Sequence, residues 1–307
     1  MNDAQSKVGR APAKDWKTLL RKDPPMPLTP DQTRALIDAV RDVAATEILP
    51  RFRNLGDGDI DAKTTFDDLV TVADRAAEDA LTARIHEILP GDTVVGEEAV
   101  SADPSLLATV GTGRVTVIDP IDGTWNFAHG LANYGVILSV VEDGVTQWGL
   151  LYDPSFDDWV EAHLGQGATY VRNGKARPLA ISQAEAPLSA LRGSVGFYLY
   201  PERHQPALAA TTHRFRRASS LGASLHEYRM QALGGVDFCL NGKLNVWDHG
   251  AGVLILQEAG AVARLLDGSA YAPTLTEGYL LTARTEAMWQ ALADVFNDAL
   301  AASAPPE

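Results

Sequence analysis

Eleven residues, 117–127, read VIDPIDGTWNF, and they constrain the chain more than any other stretch. Asp119 and Asp122 bracket Pro120 at the end of an apolar run. Proline has no N–H and a fixed φ, so the chain is expected to leave a sheet at Pro120. Gly123 permits a φ that other residues resist and lets a ligand approach the backbone. Thr124 is expected to open a helix whose free N–H groups form an anion site. Both carboxylates then point into the same few ångströms as that site. Crowded carboxylates repel, which raises a pKa or demands a cation. Hard oxygen ligands suit Mg²⁺, which binds through a few carboxylates, waters and a substrate phosphate. A carboxylate–metal–phosphate arrangement is the simplest one that satisfies every part.

Charge and cysteine usage narrow the class. Forty acids stand against 26 Lys and Arg, a net charge of −14. A duplex binder normally carries a basic face, so no nucleic-acid partner is expected. The acidic excess also fits a cation-loaded site. Cys239 is the only cysteine, which rules out an intrachain disulfide and favours a reducing, cytoplasmic location. In VDFCLNG it reads as a buried small hydrophobe. The N-terminus shows no apolar signal-peptide core, and no run of 18 apolar residues exists, so no membrane partner is expected.

Along the chain, residues 1–28 are polar and proline-punctuated and read as a loosely attached arm, followed by one catalytic domain over 29–307. Thr29, Pro30 and Gln32 predict a capped helix start, with Leu36, Ile37, Val40, Val43 and Ala44 on one face and Pro50 at its end. A second helix is predicted from about Thr71 to Leu89. The stretch 29–185 is then strand-rich and reads as an α+β half with a central antiparallel sheet. Its EDG and Asn-Gly turns mark hairpins. Over 186–307 short strands alternate with helices, which reads as an α/β half.

Further acids sit at element ends. Asp74 falls three residues after Thr71 and can complement a helix N-terminus. Glu97 and Glu98 end a strand and can be a solvated turn, and Asp248 can be the N-cap of the helix it precedes. Singly, these structural readings suffice for three of the four acidic features. The DPIDGT segment resists one.

DPIDGTWNF resembles the central motif of the inositol monophosphatase family, magnesium-dependent and lithium-sensitive phosphatases. WDHGAGVLILQEAGA is similar to its second signature, W-D-x-x-A-G-x-x-x-x-x-E-A-G-G, with Ala261 at the last glycine. DLVTVAD and GEE match two more blocks, in order and at compatible spacing, so the resemblance spans roughly residues 30–300. It implies a layered αβαβα sandwich. It also implies a first Mg²⁺ held by Glu97, Asp119 and the Ile121 carbonyl. A second is held by Asp119, Asp122 and Asp248, and a third, weaker ion lies near Glu97. Mn²⁺ is an alternative ion and Li⁺ an expected inhibitor. Two ions about 3.5–4 Å apart clamp the attacking and leaving oxygens of an in-line displacement. The phosphate rests on Gly123 and Thr124, while Asp74 and Thr124, with Glu97, prepare the attacking water. Lys63 matches a lysine on a mobile loop near the metals, and Glu98 matches a second glutamate with a less direct role. Trp125 replaces the threonine of many relatives and reads as packing near the mouth. The family commonly forms homodimers.

Substrate recognition departs from the pattern. Asn241 stands where inositol-specific relatives have a sugar-binding glutamate, and Ala223 and Ser224 occupy the other contact positions, in GASLHEY. A small phosphorylated metabolite is expected, inositol 1-phosphate or a similar polyol or sugar phosphate. Histidinol phosphate is an alternative, and NVWD faintly resembles the branch acting on 3′-phosphoadenosine 5′-phosphate. HRFRR at 213–217 reads as a solvated turn before a strand, though such a run could attract a second phosphate. From another class, a non-catalytic, metal-binding regulatory protein would keep the fold and lose ligands, whereas every such position here is filled.

Overall fold

The computed structural model describes residues 28–56, 58–63 and 69–302. Most of the expected arm, residues 1–27, and five residues of the Lys63 loop, 64–68, lie outside these. Leu28, placed in the arm by composition, is buried in the core.

Helix α1 (Pro30–Val43) starts as its sequence predicts: the Thr29 and Gln32 side chains each accept from the other's backbone N–H. It continues as a π-helical turn, Ala44–Ile48. A short antiparallel ribbon, β1 (Ile60–Ala62) and β2 (Leu69–Thr71), leads into α2 (Val72–Ile88), for which Thr71 and Asp74 form a second capping box. β3 (Thr93–Gly96) turns directly into α3 (Glu97–Ala102). A Cβ at Gly96 would lie 2.2 Å from the Glu78 carboxyl group and would push it from its place.

β4 (Arg114–Asp122) corrects one expectation. The chain does not leave the sheet at Pro120 but stays in it to Asp122. Asp119 pairs with Ile137 and Asp122 with Gly135, three residues against two, so a bulge absorbs the proline. Then come α4 (Thr124–Ala128), β5 (Gly135–Glu142), β6 (Val145–Asp153), β7 (Asp158–His163), β8 (Ala168–Arg172) and β9 (Lys175–Leu179). Strands β3 to β9 form one seven-stranded sheet in chain order, antiparallel except for β3 against β4. Both expected two-residue hairpin turns have paired positive φ values, at Asp143–Gly144 and Asn173–Gly174.

The second half holds β10 (Arg192–Val195), α5 (Gln205–Ala209), β11 (Arg217–Ser219), α6 (Ser224–Ala232), β12 (Phe238–Asn241), α7 (Val246–Glu258), β13 (Val262–Leu265), β14 (Leu280–Ala283) and α8 (Glu286–Ala302). Its sheet has the order β11-β10-β12-β14-β13, parallel at β11, β10 and β12 and antiparallel at β14 and β13.

Three apolar clusters hold five layers together in an αβαβα stack, the second lying on both sides of α6 and α7. One joins α1 and α2 to the large sheet around Leu36, Ile85 and Ile118. The second packs α6 and α7 against the other face, around Leu151, Leu225 and Ile255. The third sets α5 and α8 on the smaller sheet through Phe238, Trp289 and Phe296. Cys239 is buried, as its apolar run implies. The β4 bulge and the starts of α6 and α7 therefore meet where the two halves join.

Candidate active site

Gly123 follows β4 with φ of +86°, and a Cβ there would meet the Asn133 carbonyl at 2.7 Å and Ala223 Cβ at 2.9 Å. Conformation and space both require glycine, and the turn throws Thr124 back beside β4. Thr124 Oγ1 lies 3.1 Å from Asp74 Oδ1 and 3.0 Å from the Ile121 carbonyl. Asp74 Oδ2 meanwhile accepts from the Thr71 N–H at 2.8 Å and from its hydroxyl at 2.5 Å. Burial lifts the Asp74 carboxyl to about 7, against the lowering effect of Thr71.

Asp119, Asp122 and Asp248 each bring a carboxylate oxygen within 4.8 Å of the others. Asp119 Oδ1 accepts from the Ile121 N–H at 3.1 Å. Asp122 accepts from the Ser224 and Leu225 N–H groups at 3.1 and 2.7 Å. It thereby caps α6, whose own N-cap residue, Ala223, has no side-chain acceptor. Asp248 is not the N-cap of α7. That position is Asn245, and Asp248 lies in the first turn, accepting from Asn245 Nδ2 at 2.9 Å. Burial, then Glu97 and the neighbouring aspartates, hold Asp119 well above the ordinary carboxylate range. Burial and Asp248 do the same for Asp122, and burial raises Asp248 to about 6.

Glu97 and Glu98 open α3 half-buried, not in a solvated turn. Lys63 Nζ donates to both, at 2.9 and 2.5 Å. Glu97 is therefore drawn to Lys63 and stands outside the three-aspartate cluster, while its charge still acts on Asp119 and Asp74. Burial opposes the charge on Lys63, but the two glutamates outweigh it and raise its pKa. Glu78, which sequence reasoning passed over, accepts from the Glu98 and Ala99 N–H groups at 2.9 and 2.8 Å and so fixes the start of α3. Its only sequence signal was an acid on the apolar side of α2.

These donors fit a hard divalent cation: three oxygen-only, like-charged groups with raised pKa values, two of them buried and Asp248 half-buried, and a main-chain carbonyl beside them. A cleft of about 140 Å³ opens on the cluster and is lined by Asp122, Ala223, Ser224, Asn241 and Asp248, all expected from sequence. Tyr198, Ser220, Glu227, Lys243 and Asn245 line it as well and were not expected. They come from loops and from helix α6, where nothing in the sequence pattern points to a shared cavity. Trp125 is not part of this lining. It is 44% exposed and stacks on His129 with ring centroids 4.0 Å apart.

A model of the inositol monophosphatase family matches residues 30–301. The inositol-1-monophosphatase of Bacillus subtilis is 32% identical over 214 residues, 69% of this chain and 78% of its own. The histidinol-phosphatase of Mycobacterium tuberculosis is 33% identical over 207 residues, 66% of this chain and 75% of its own. Among solved structures, the Thermotoga maritima IMPase superposes with a TM-score of 0.75 at 25% identity, covering 89% of this chain and 100% of that one. Motifs, fold and relatives agree, and the chain belongs to the inositol monophosphatase family, as a phosphoric monoester hydrolase.

Proposed function

We propose that the chain hydrolyses a small polyol or sugar phosphate in a Mg²⁺-dependent reaction with direct attack of water and no covalent intermediate. The observation that carries this reading is the convergence of three aspartates within 4.8 Å, together with the Thr124–Asp74 contact. Glu97, Asp119, the Ile121 carbonyl, Asp122 and Asp248 would hold the ions. When bound, these would neutralise charge on the phosphoryl oxygens and lower the pKa of water. The Gly123 and Thr124 N–H groups would receive the phosphate at the start of α4. Thr124 Oγ1 orients the attacking water and Asp74, with a pKa of about 7, takes its proton through that hydroxyl. Asp74 Oδ2 stays fixed by Thr71, so the accepting oxygen Oδ1 does not turn away.

The leaving group would lie in the cleft against Asn241, Ala223 and Ser224. Asn241, neutral and able both to donate and to accept, suits hydroxyls. We further propose that residues 29–307 act as one catalytic unit, in a cytoplasmic homodimer.

The test is phosphate release from a panel of inositol 1-phosphate, a sugar phosphate, histidinol phosphate and 3′-phosphoadenosine 5′-phosphate, with and without Mg²⁺. Release should require the metal, favour the polyol esters and drop to background in Asp119→Asn. Absence of release from every ester with Mg²⁺ would overturn the reading, and preference for histidinol phosphate would redirect it.

A further inference from the structure

We propose a second anion site, for a phosphate group, in the crevice between the β10–β11 edge and helix α6, behind the catalytic centre. It goes beyond the catalytic reading and uses none of the metal-binding residues.

Strand register builds it. β10 and β11 run parallel with Arg192 opposite Arg217 and Ser194 opposite Ser219. Alternate residues of a strand share a face, so two arginines and two serines stand on one side of the sheet. All four line a crevice of about 40 Å³ that helix α6 closes through Glu227. At ~10–15 Å³ per water, the space holds about three waters, the footprint of the oxygens of one phosphate group.

Two groups on this face are left unanswered among the described residues, the Ser194 hydroxyl and the charge of Arg217. Ser194 is 4% exposed, yet its Oγ has no hydrogen-bond partner among the described residues. A buried hydroxyl left without a partner is costly, and the register puts this one on the crevice side of the sheet. The charge of Arg217 is the second. Like charges on adjacent strand positions are unfavourable. Arg192 is answered by Asp237, whose Oδ2 accepts from its backbone N–H at 2.7 Å and from Nε at 3.3 Å. Arg217 has no ion pair among the described residues. The chain keeps the second charge there while anchoring it firmly: Phe215, two residues earlier, is buried in the core, and the Arg217 N–H donates to the Leu191 carbonyl at 3.3 Å. Apart from buried Phe215, the basic run 213–217 is a solvated turn leading into β11, as its sequence reads. Its last arginine is presented beside a buried hydroxyl.

A dianion with several acceptor oxygens answers both features, taking charge-assisted hydrogen bonds from Arg217 and the Ser194 hydroxyl. Glu227 is the one acid on the wall, and its Oε1 is already turned to the Ser220 hydroxyl at 2.7 Å and the Leu221 N–H at 2.9 Å. Glu227 also lines the substrate cleft, so the two spaces meet at that side chain.

Titration calorimetry of the full chain with inorganic phosphate, at constant ionic strength in excess chelator, tests the site apart from the catalytic one. Without metal the catalytic centre presents carboxylates and holds no phosphate. The wild type should bind one phosphate per chain. Arg217→Glu, at an exposed edge, should weaken binding at least tenfold, and Ser194→Ala should weaken it without lowering the thermal melting point. Glucose 6-phosphate in place of phosphate separates a free ion from a metabolite: equal affinity assigns the ion, tighter affinity the ester, and either upholds the site. No uptake by the wild type, or unchanged affinity in Arg217→Glu, would overturn it.

Discussion

Asp74 shows why single residues were only half legible. From spacing alone it is a helix cap, and it is one: Oδ2 takes both hydrogen bonds from Thr71. The other oxygen faces Thr124, 50 residues further on, a contact no local pattern contains. One carboxylate makes both contacts, so the structural reading and the proposed catalytic one are compatible. Asp122 repeats the lesson, since it stands in the acidic cluster and caps α6 across 102 residues of sequence. Thr124→Val separates the roles because it keeps the shape and removes the hydroxyl. It should lower kcat by roughly 10²–10⁴-fold, the usual range for a lost acid–base partner, with KM little changed. Steady-state kinetics on the best ester of the panel check it. A KM effect alone would place Thr124 in ground-state binding.

At the scale of elements, caps and turn residues were readable and strand ends were not. Thr29 and Gln32 predicted the start of α1 to the residue because a capping box is local chemistry. Thr29→Ala should therefore cost about 1 kcal/mol, seen as a fall in Tm of about 2 °C, with activity retained. An unchanged Tm would mean that this helix end is held by packing alone. Pro120 misled for the opposite reason. Its lost N–H is a local fact, but whether the strand continues depends on how β5 pairs past it, and the bulge supplies that answer. Strand β7 was missed because it opens on Asp158. That acid is buried by its pairing with Arg229 of α6 and by the Tyr170 hydroxyl, which donates to it at 2.8 Å. The antiparallel β13 and β14 were likewise invisible in the alternation of strands and helices that suggested a layered half.

For the whole molecule, the five-layer stack concentrates acid at the junction of its halves, and stability should report this. Without metal, Asp74 and Glu78 have pKa values of about 7, Asp248 about 6, and Asp119 and Asp122 stand well above the usual range, in each case chiefly through burial. A carboxyl whose folded pKa is raised keeps a proton that the unfolded chain has released. The unfolded state then binds fewer protons, and stability falls as pH rises from about 4 through the folded pKa. Buried His226 and His249, both lowered to about 4, act in the opposite direction. Their effect, shared by His163 and His204, is already half spent at about pH 6.5 and gone by about pH 7.5, as unfolded histidine loses its proton. The window from pH 6.5 to 8 is therefore dominated by the five carboxyls. In chelator, Tm should fall across it. Mg²⁺ at a fixed concentration of 100 times its Kd at pH 6.5 should add about 2.7 kcal/mol there by mass action. The addition should be larger at pH 8, because at pH 6.5 the ion must displace protons that the cluster still holds. Scanning calorimetry at both pH values, with and without Mg²⁺, decides the matter. A metal-free Tm that rises from pH 6.5 to 8, or a Mg²⁺ increment no greater at pH 8, would mean that the aspartates at the junction do not act as one cation-binding cluster.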